Sequence, residues 1–175
     1  MEQPDRVDEM MRAWRAELPE VATVQLELVK RAGRLAARCE EATALVLAEH
    51  RMTYAEFDVL ATLRRSGPPY RLKPGALARQ SMLSSGGISN ILLRLSATGL
   101  VERRPDPDDG RSSWVCLTEA GRRTAEDLAR ATSEANARLF EALPAHTAEA
   151  LAGLLRETLV ALGDVPETAP VTRPR

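Results

Sequence analysis

The chain has 175 residues, is 28% charged and only 3% aromatic, and carries a formal net charge of −1. That length makes one or two compact units, and a composition rich in Ala, Leu, Arg and Glu favours helix over sheet. No run approaches the ~18 apolar residues of a membrane span, and the first residues lack a basic-then-apolar secretory pattern, so the cytoplasm is expected and a membrane partner is not.

In chain order, Asp5 to Glu17 reads as a short helix with Val7, Met10, Met11, Trp14 and then Leu18 along one side. Pro19 follows, and Val21 to about Glu49 reads as a long helix with Val24, Leu28, Leu35, Ala42, Leu45 and Val46 as its apolar positions. Thr53 and Glu56 make a capping box for a helix reaching Arg65. Phe57, Leu60, Ala61 and Leu63 are its expected core positions. Gly67-Pro68-Pro69 breaks that helix, and Lys73-Pro74 opens another holding Leu77 and Ala78.

The next helix is the informative one. Ile88, Ile91, Leu92 and Leu95 fall at i, i+3, i+4 and i+7, a single apolar stripe. The other face carries Gly86, Ser89, Asn90 and Leu93, flanked by Arg94; Ser84 or Ser85 caps the start and Gly99 stops the helix. Small hydroxyl, amide and glycine residues weaken an exposed helix, so their presence asks for another reason. Close approach to a duplex is one: Asn bonds adenine bidentately, Ser meets a base or a phosphate, and Gly lets the backbone come near. Packing of this small face against another helix is the alternative, and the helix alone leaves both open.

Beyond it, Leu100 to Arg104 can pair with Trp114 to Leu117 across a turn-rich segment containing Pro105, Asp106, Pro107 and Asp109-Gly110-Arg111. Thr118 then caps a helix beginning Glu119-Ala120-Gly121. Arg111 is placed to enter a minor groove, and Arg103 and Arg104 sit at the ribbon base within reach of phosphates. A helix-turn-helix pair followed by such a ribbon describes a winged helix. The candidate DNA-contacting set is therefore Ser84, Ser85, Gly86, Ser89, Asn90, Arg94, Arg104 and Arg111. Charge agrees: residues 71–123 hold 9 basic and 5 acidic side chains, whereas 1–50 hold 7 and 10 and 124–175 hold 5 and 8. Phosphate contact depends on such local positive charge.

Two more helices follow, Thr118 to Phe140 and Ala145 to Leu162, separated by Pro144. Leu139, Phe140, Leu143, Leu151, Leu154, Leu155, Leu159 and Leu162 exceed what one protomer is expected to cover. Pairing of the first two and last two helices with a two-fold mate is the economical outcome. It would place two reading helices ~34 Å apart on a pseudo-palindromic operator; a closed monomeric bundle is the alternative.

These residues resemble the MarR family of bacterial transcription regulators. The match is carried by Leu95 to Arg103 (Leu-Ser-Ala-Thr-Gly-Leu-Val-Glu-Arg), by Asp106-Pro107-Asp108-Asp109-Gly110-Arg111, and by Val115 to Gly121 (Val-Cys-Leu-Thr-Glu-Ala-Gly). It runs from about Met10 to Gly163. Family wings commonly carry Asp-Arg-Arg at the tip; here Gly110 replaces the first Arg, and Arg111 matches the second, which the resemblance makes the minor-groove residue. The resemblance implies a mainly α fold with a small β-wing. Its parts would be an added N-terminal helix (1–20), dimerisation helices (21–50 and 118–163), a winged helix-turn-helix DNA-binding domain (51–117) and a flexible tail (164–175). It implies a ligand-responsive regulator, a repressor by family habit, that binds its operator as a homodimer and is released by a small-molecule effector.

The helix ahead of the usual core, bearing Trp14, and the run from Phe57 to Leu72 resemble the urate-responsive, PecS-like branch of that family. There the ligand is held by a Trp of the added helix, an Asp of the Phe-Asp-Val-Leu segment, an Arg of the recognition helix and an Arg at the wing base. Trp14, Asp58 and Arg103 match three of these, while Ile91 stands where the branch has the recognition-helix Arg. Ile supplies neither charge nor hydrogen bonds to a planar anion, so a more apolar, less anion-selective pocket is expected, and urate is not the expected effector. Asp58 also reads as a partner for a nearby Arg, and Trp14 as an interface anchor.

Other chemistry finds little support. No nucleophile–base pair, Gly-rich phosphate loop or metal quartet is evident, so neither enzymatic activity nor a cofactor is expected. Cys39 and Cys116 are far apart, and His50 and His146 lack ligand-spaced partners. Cys39 precedes Glu40 and Glu41 and reads as an inert packing thiol rather than a peroxide sensor. A dimeric helical interaction module whose winged helix binds protein is the competing function, against which the polar reading face and Arg111 stand.

Overall fold

A computed structural model describes residues 3–81, 85–107 and 109–165, without the side chains of Ser85, Gly86, Gly110 and Arg111. Ser84, and the expected tail from 166 onward, lie outside the described residues. The helices are α1 (Arg6–Glu17), α2 (Val24–Glu49), α3 (Tyr54–Arg65), α4 (Pro74–Gln80), α5 (Ser85–Ala97), α6 (Glu119–Leu139) and α7 (Ala145–Ala161). The strands are β1 (Arg71–Leu72), β2 (Val101–Asp106) and β3 (Asp109–Leu117). Two compact units are separable, one up to Leu139 and one from Phe140 onward. The fold is thus mainly α with a small antiparallel sheet.

Local chemistry sets most boundaries. Asp5 caps α1 through a reciprocal box with Asp8, and Thr53 caps α3 through the same device with Glu56. The long helix was expected from Val21; a 3-10 turn over Pro19–Val21 occupies that position, and Thr23 caps α2 instead. Gly99, at φ +70, ends α5 as expected of a left-handed helix stop. Helices α4 and α7 start without such a device: Lys73 and Pro144 hold their N-cap positions with no side-chain cap bond, where Ser, Thr, Asp or Asn would stabilise by about 1 kcal/mol.

The wing differs from its expected outline. Strands were expected over 100–104 and 114–117 with a long loop between; instead β2 and β3 run almost to the tip. Val101 pairs with Leu117, Arg103 with Val115 and Arg104 with Trp114, with an irregularity at Pro105/Asp106 that brings Asp106 opposite Asp109. Pro105 is tolerated because β2 is an edge strand in the order β1-β3-β2. The two-residue β1, pairing Arg71 with Cys116, was not foreseen.

One core serves this unit. Val59, Leu60 and Leu63 of α3, Leu77 of α4, Ile88, Ile91, Leu92 and Leu95 of α5, Val101 and Val115 of the sheet, and Ala125 of α6 bury together. Each fully buried Leu contributes about 1.5–3 kcal/mol, so α5 is fixed against α3 and the sheet by its apolar stripe. Val7 and Met11 bury the inner side of α1, which packs against α2. Among the described residues, no helix is long and apolar enough to cross a membrane, and no group of metal-ligating side chains occurs.

Candidate DNA-binding surface

Because the stripe Ile88-Ile91-Leu92-Leu95 faces the core, α5 turns Ser89, Asn90 and Leu93 outward, with Leu93 70% exposed. These three and Ser96 form one wall of a groove of about 650 Å³, whose other wall is Val101, Glu102 and Arg103 of β2. A polar helix face and an arginine-bearing strand therefore share one concave surface. Strand alternation sends Arg103 and Arg104 to opposite faces of the ribbon. The Arg104 guanidinium donates to Glu102 through Nη2 at 2.5 Å and Nε at 3.0 Å, so its charge is shared before any phosphate arrives.

Arg94 has a partner that its sequence position does not announce. Its Nε donates to Glu56 Oε1 at 2.8 Å, and Glu56 also accepts from the Thr53 amide and hydroxyl. The cap of α3 is thereby tied to the flank of the reading helix. Burial pushes the Glu56 carboxyl up, but the Thr53 bonds and Arg94 outweigh it and hold the group below its ordinary value of 4.5. A depressed folded pKa means stabilisation that is complete above the unfolded value and lost as pH falls through the folded one. Glu56→Gln keeps the capping pattern and removes the charge. It is expected to lower stability by about 1 kcal/mol at neutral pH, since Arg94 is largely exposed. Urea midpoints should then fall less steeply below pH 4.5 in the variant than in the parent; parallel acid limbs would remove Glu56 as a contributor.

The wing face away from the core is cationic and aromatic. Arg71 and Lys73 both lie 4.5 Å from the Trp114 ring centroid. Lys73 bonds Asp106 of β2 and donates to Ser112 Oγ of β3 at 2.6 Å. Sequence reading missed this cluster, because its members are 33 and 39 residues apart; the uncapped lysine ahead of Pro74 was the one available signal. The Arg111 backbone lies in β3, and its side chain is outside the described residues, as are those of Ser85 and Gly86.

The four effector candidates are placed differently. Ile91 is 6% exposed and belongs to the core, so its side chain is packing rather than facing the groove that holds Arg103. Asp58 lies 3.7 Å from Arg65; burial raises its carboxyl above the ordinary range, and Arg65 opposes the shift. Trp14, on α1, is 39% exposed. Of the four, the groove beside β2 is lined by Arg103 alone. Burial also pushes the Cys116 thiol up, as fits a packing residue.

The model of the MarR family matches residues 51–112, which covers α3 to the wing. The HTH-type transcriptional regulator PecS of Dickeya dadantii is 30% identical over 115 residues, covering 66% of this chain and 69% of that protein. Wild-type MarR from E. coli, solved in its apo form, is 26% identical with a TM-score of 0.66, covering 75% of this chain and 96% of that one. A mutant of the E. coli protein, solved with operator DNA, shares the fold at 24% identity and a TM-score of 0.67, covering 83% and 97%. The reading helix, the three-stranded wing and these likenesses agree: the chain belongs to the MarR family of winged-helix transcription regulators.

Proposed function

We propose that the protein is a ligand-responsive transcription regulator that binds a pseudo-palindromic operator as a homodimer, reading the major groove with α5 and the minor groove with the wing. The observation that supports this most is the outward face of α5, with Ser89, Asn90 and Leu93 beside Arg103. A face meant for protein docking would be predominantly apolar and would not border an arginine-bearing ribbon. Ser84, Ser85, Gly86 and Arg104 complete the proposed phosphate and base contacts, and Arg94 acts through the placement of α5. Val24, Leu28 and Val29 of α2 stand uncovered, as do Leu154 and Leu159 of α7, and a second copy would cover such surfaces. Residues 21–50 and 118–163 are the proposed dimerisation segments around a DNA-binding domain at 51–117, with 1–20 as an added N-terminal helix. Cytoplasmic residence follows from this role.

Duplex binding measured against salt tests the reading. Arg111→Ala should weaken binding to all duplexes, about tenfold at moderate salt, and reduce the slope of log affinity against log salt by roughly 0.9 for each phosphate it no longer neutralises. Unchanged affinity would remove the wing from the DNA-facing surface, and a parent that ignores duplexes in dilute buffer would remove the function. In the same assay, a released operator marks an effector. Trp14, Asp58 and Arg103 are its proposed contacts, and compounds that act equally on Trp14→Ala would displace the site from α1.

A further inference from the structure

We propose that Lys73 is a positioning residue for the wing, a lysine that holds both ribbon strands at the angle needed for duplex contact and does not itself bind phosphate. The proposal rests on the DNA-binding role given above. Lys73 carries donors and no acceptor, so it can supply no capping bond at its N-cap position, and the helix it precedes gives no reason for a lysine there. Its stem instead carries the ammonium to Asp106 on β2 and Ser112 on β3, one partner on each side of the ribbon. Asp106 is 8% exposed and sits where the pairing becomes irregular, the point that sets the direction of the tip.

Three further features agree. A carboxylate this buried requires a charged or hydrogen-bonding partner, and Lys73 supplies one. Arg71 and Lys73 approach the same Trp114 ring, and two cations converging on one ring need the countercharge that Asp106 provides. Among the described residues the buried Trp114 indole N–H has no hydrogen-bond partner, and the two cations lie against its ring. Lys73, between β1 and α4 in the chain, thus ties β2 to β3 through its ammonium, with its charge already matched.

Charge and position make opposite forecasts, which allows a decisive test. Operator affinity at several salt concentrations is measured for the parent, Lys73→Met, Lys73→Arg and Asp106→Ala, together with hydrogen exchange of the 101–117 amides. Lys73→Met should weaken binding about tenfold with an unchanged salt slope, and quicken exchange in β2 and β3 by a similar factor while α5 and α6 hold their protection. Lys73→Arg should stay within about threefold of the parent. Asp106→Ala removes a negative charge from the wing, which by electrostatics alone would tighten DNA binding; positioning requires that it weaken binding several-fold. A salt slope reduced by about one in Lys73→Met, tighter binding by Asp106→Ala, or faster exchange spread through α4 and α5 instead of the ribbon would each overturn the proposal. A parent that binds no duplex would overturn the DNA-binding reading, and the exchange measurement alone would then decide whether Lys73 holds the ribbon.

Discussion

Gly121→Ala is expected to lower stability by about 3 kcal/mol, the upper end of overpacking penalties, and the melting temperature by roughly 6–12 °C for a chain of this size. A Cβ built at Gly121 would stand 1.8 Å from the Leu100 carbonyl oxygen and 2.8 Å from its carbon. Neither is a flexible side-chain end. The Leu100 carbonyl accepts from the Thr118 amide at 3.1 Å, while the Thr118 hydroxyl donates to Gly99 at 2.7 Å and accepts from the Gly121 amide at 3.0 Å. The turn that ends α5, the start of β2 and the cap of α6 therefore meet at one point, and a methyl group there must separate them. Melting should be compared at one protein concentration, because self-association raises apparent stability. A variant that melts within about 2 °C of the parent would show that the Leu100 carbonyl can move aside freely.

The residues that were legible in the sequence are those whose partners lie within one helical turn or one strand. Thr53 and Thr118 announced their caps, Gly99 its helix stop, and Ile88, Ile91, Leu92 and Leu95 the buried side of the reading helix. What remained hidden is long-range. Glu56 meets Arg94 across 38 residues, and Lys73 meets Asp106 across 33; no local period reports such encounters. The two-residue β1 is too short for alternation to show, and the extended wing strands were masked by Pro105, which only an edge position permits. Ile91 shows two readings in conflict. Helical spacing put it on the apolar stripe, a family likeness put it beside a ligand, and its burial sides with the spacing. An Ile in place of an Arg at that point is consistent with a position that joins the core rather than a polar pocket.

Asn90→Ala is expected to remove discrimination at one base pair in each half-site, ~1–3 kcal/mol apiece, so that a two-fold operator loses roughly twice that. Asn90 stands exposed on α5 between Ser89 and Leu93, the side opposite the buried stripe, and α5 cannot roll because that stripe is packed against α3 and the sheet. Its amide offers a donor and an acceptor together, the pair that matches adenine N7 and N6 in the major groove. Leu93, 70% exposed beside it, has no polar group to satisfy and suits contact with a thymine methyl. The test is a cycle over protein and DNA. Operators altered one base pair at a time should reveal a position at which the parent discriminates and Asn90→Ala does not, while both respond alike elsewhere. Equal loss on every duplex, specific or not, would instead mark Asn90 as a phosphate-binding residue and leave Leu93 and Ser89 to supply what base recognition α5 performs.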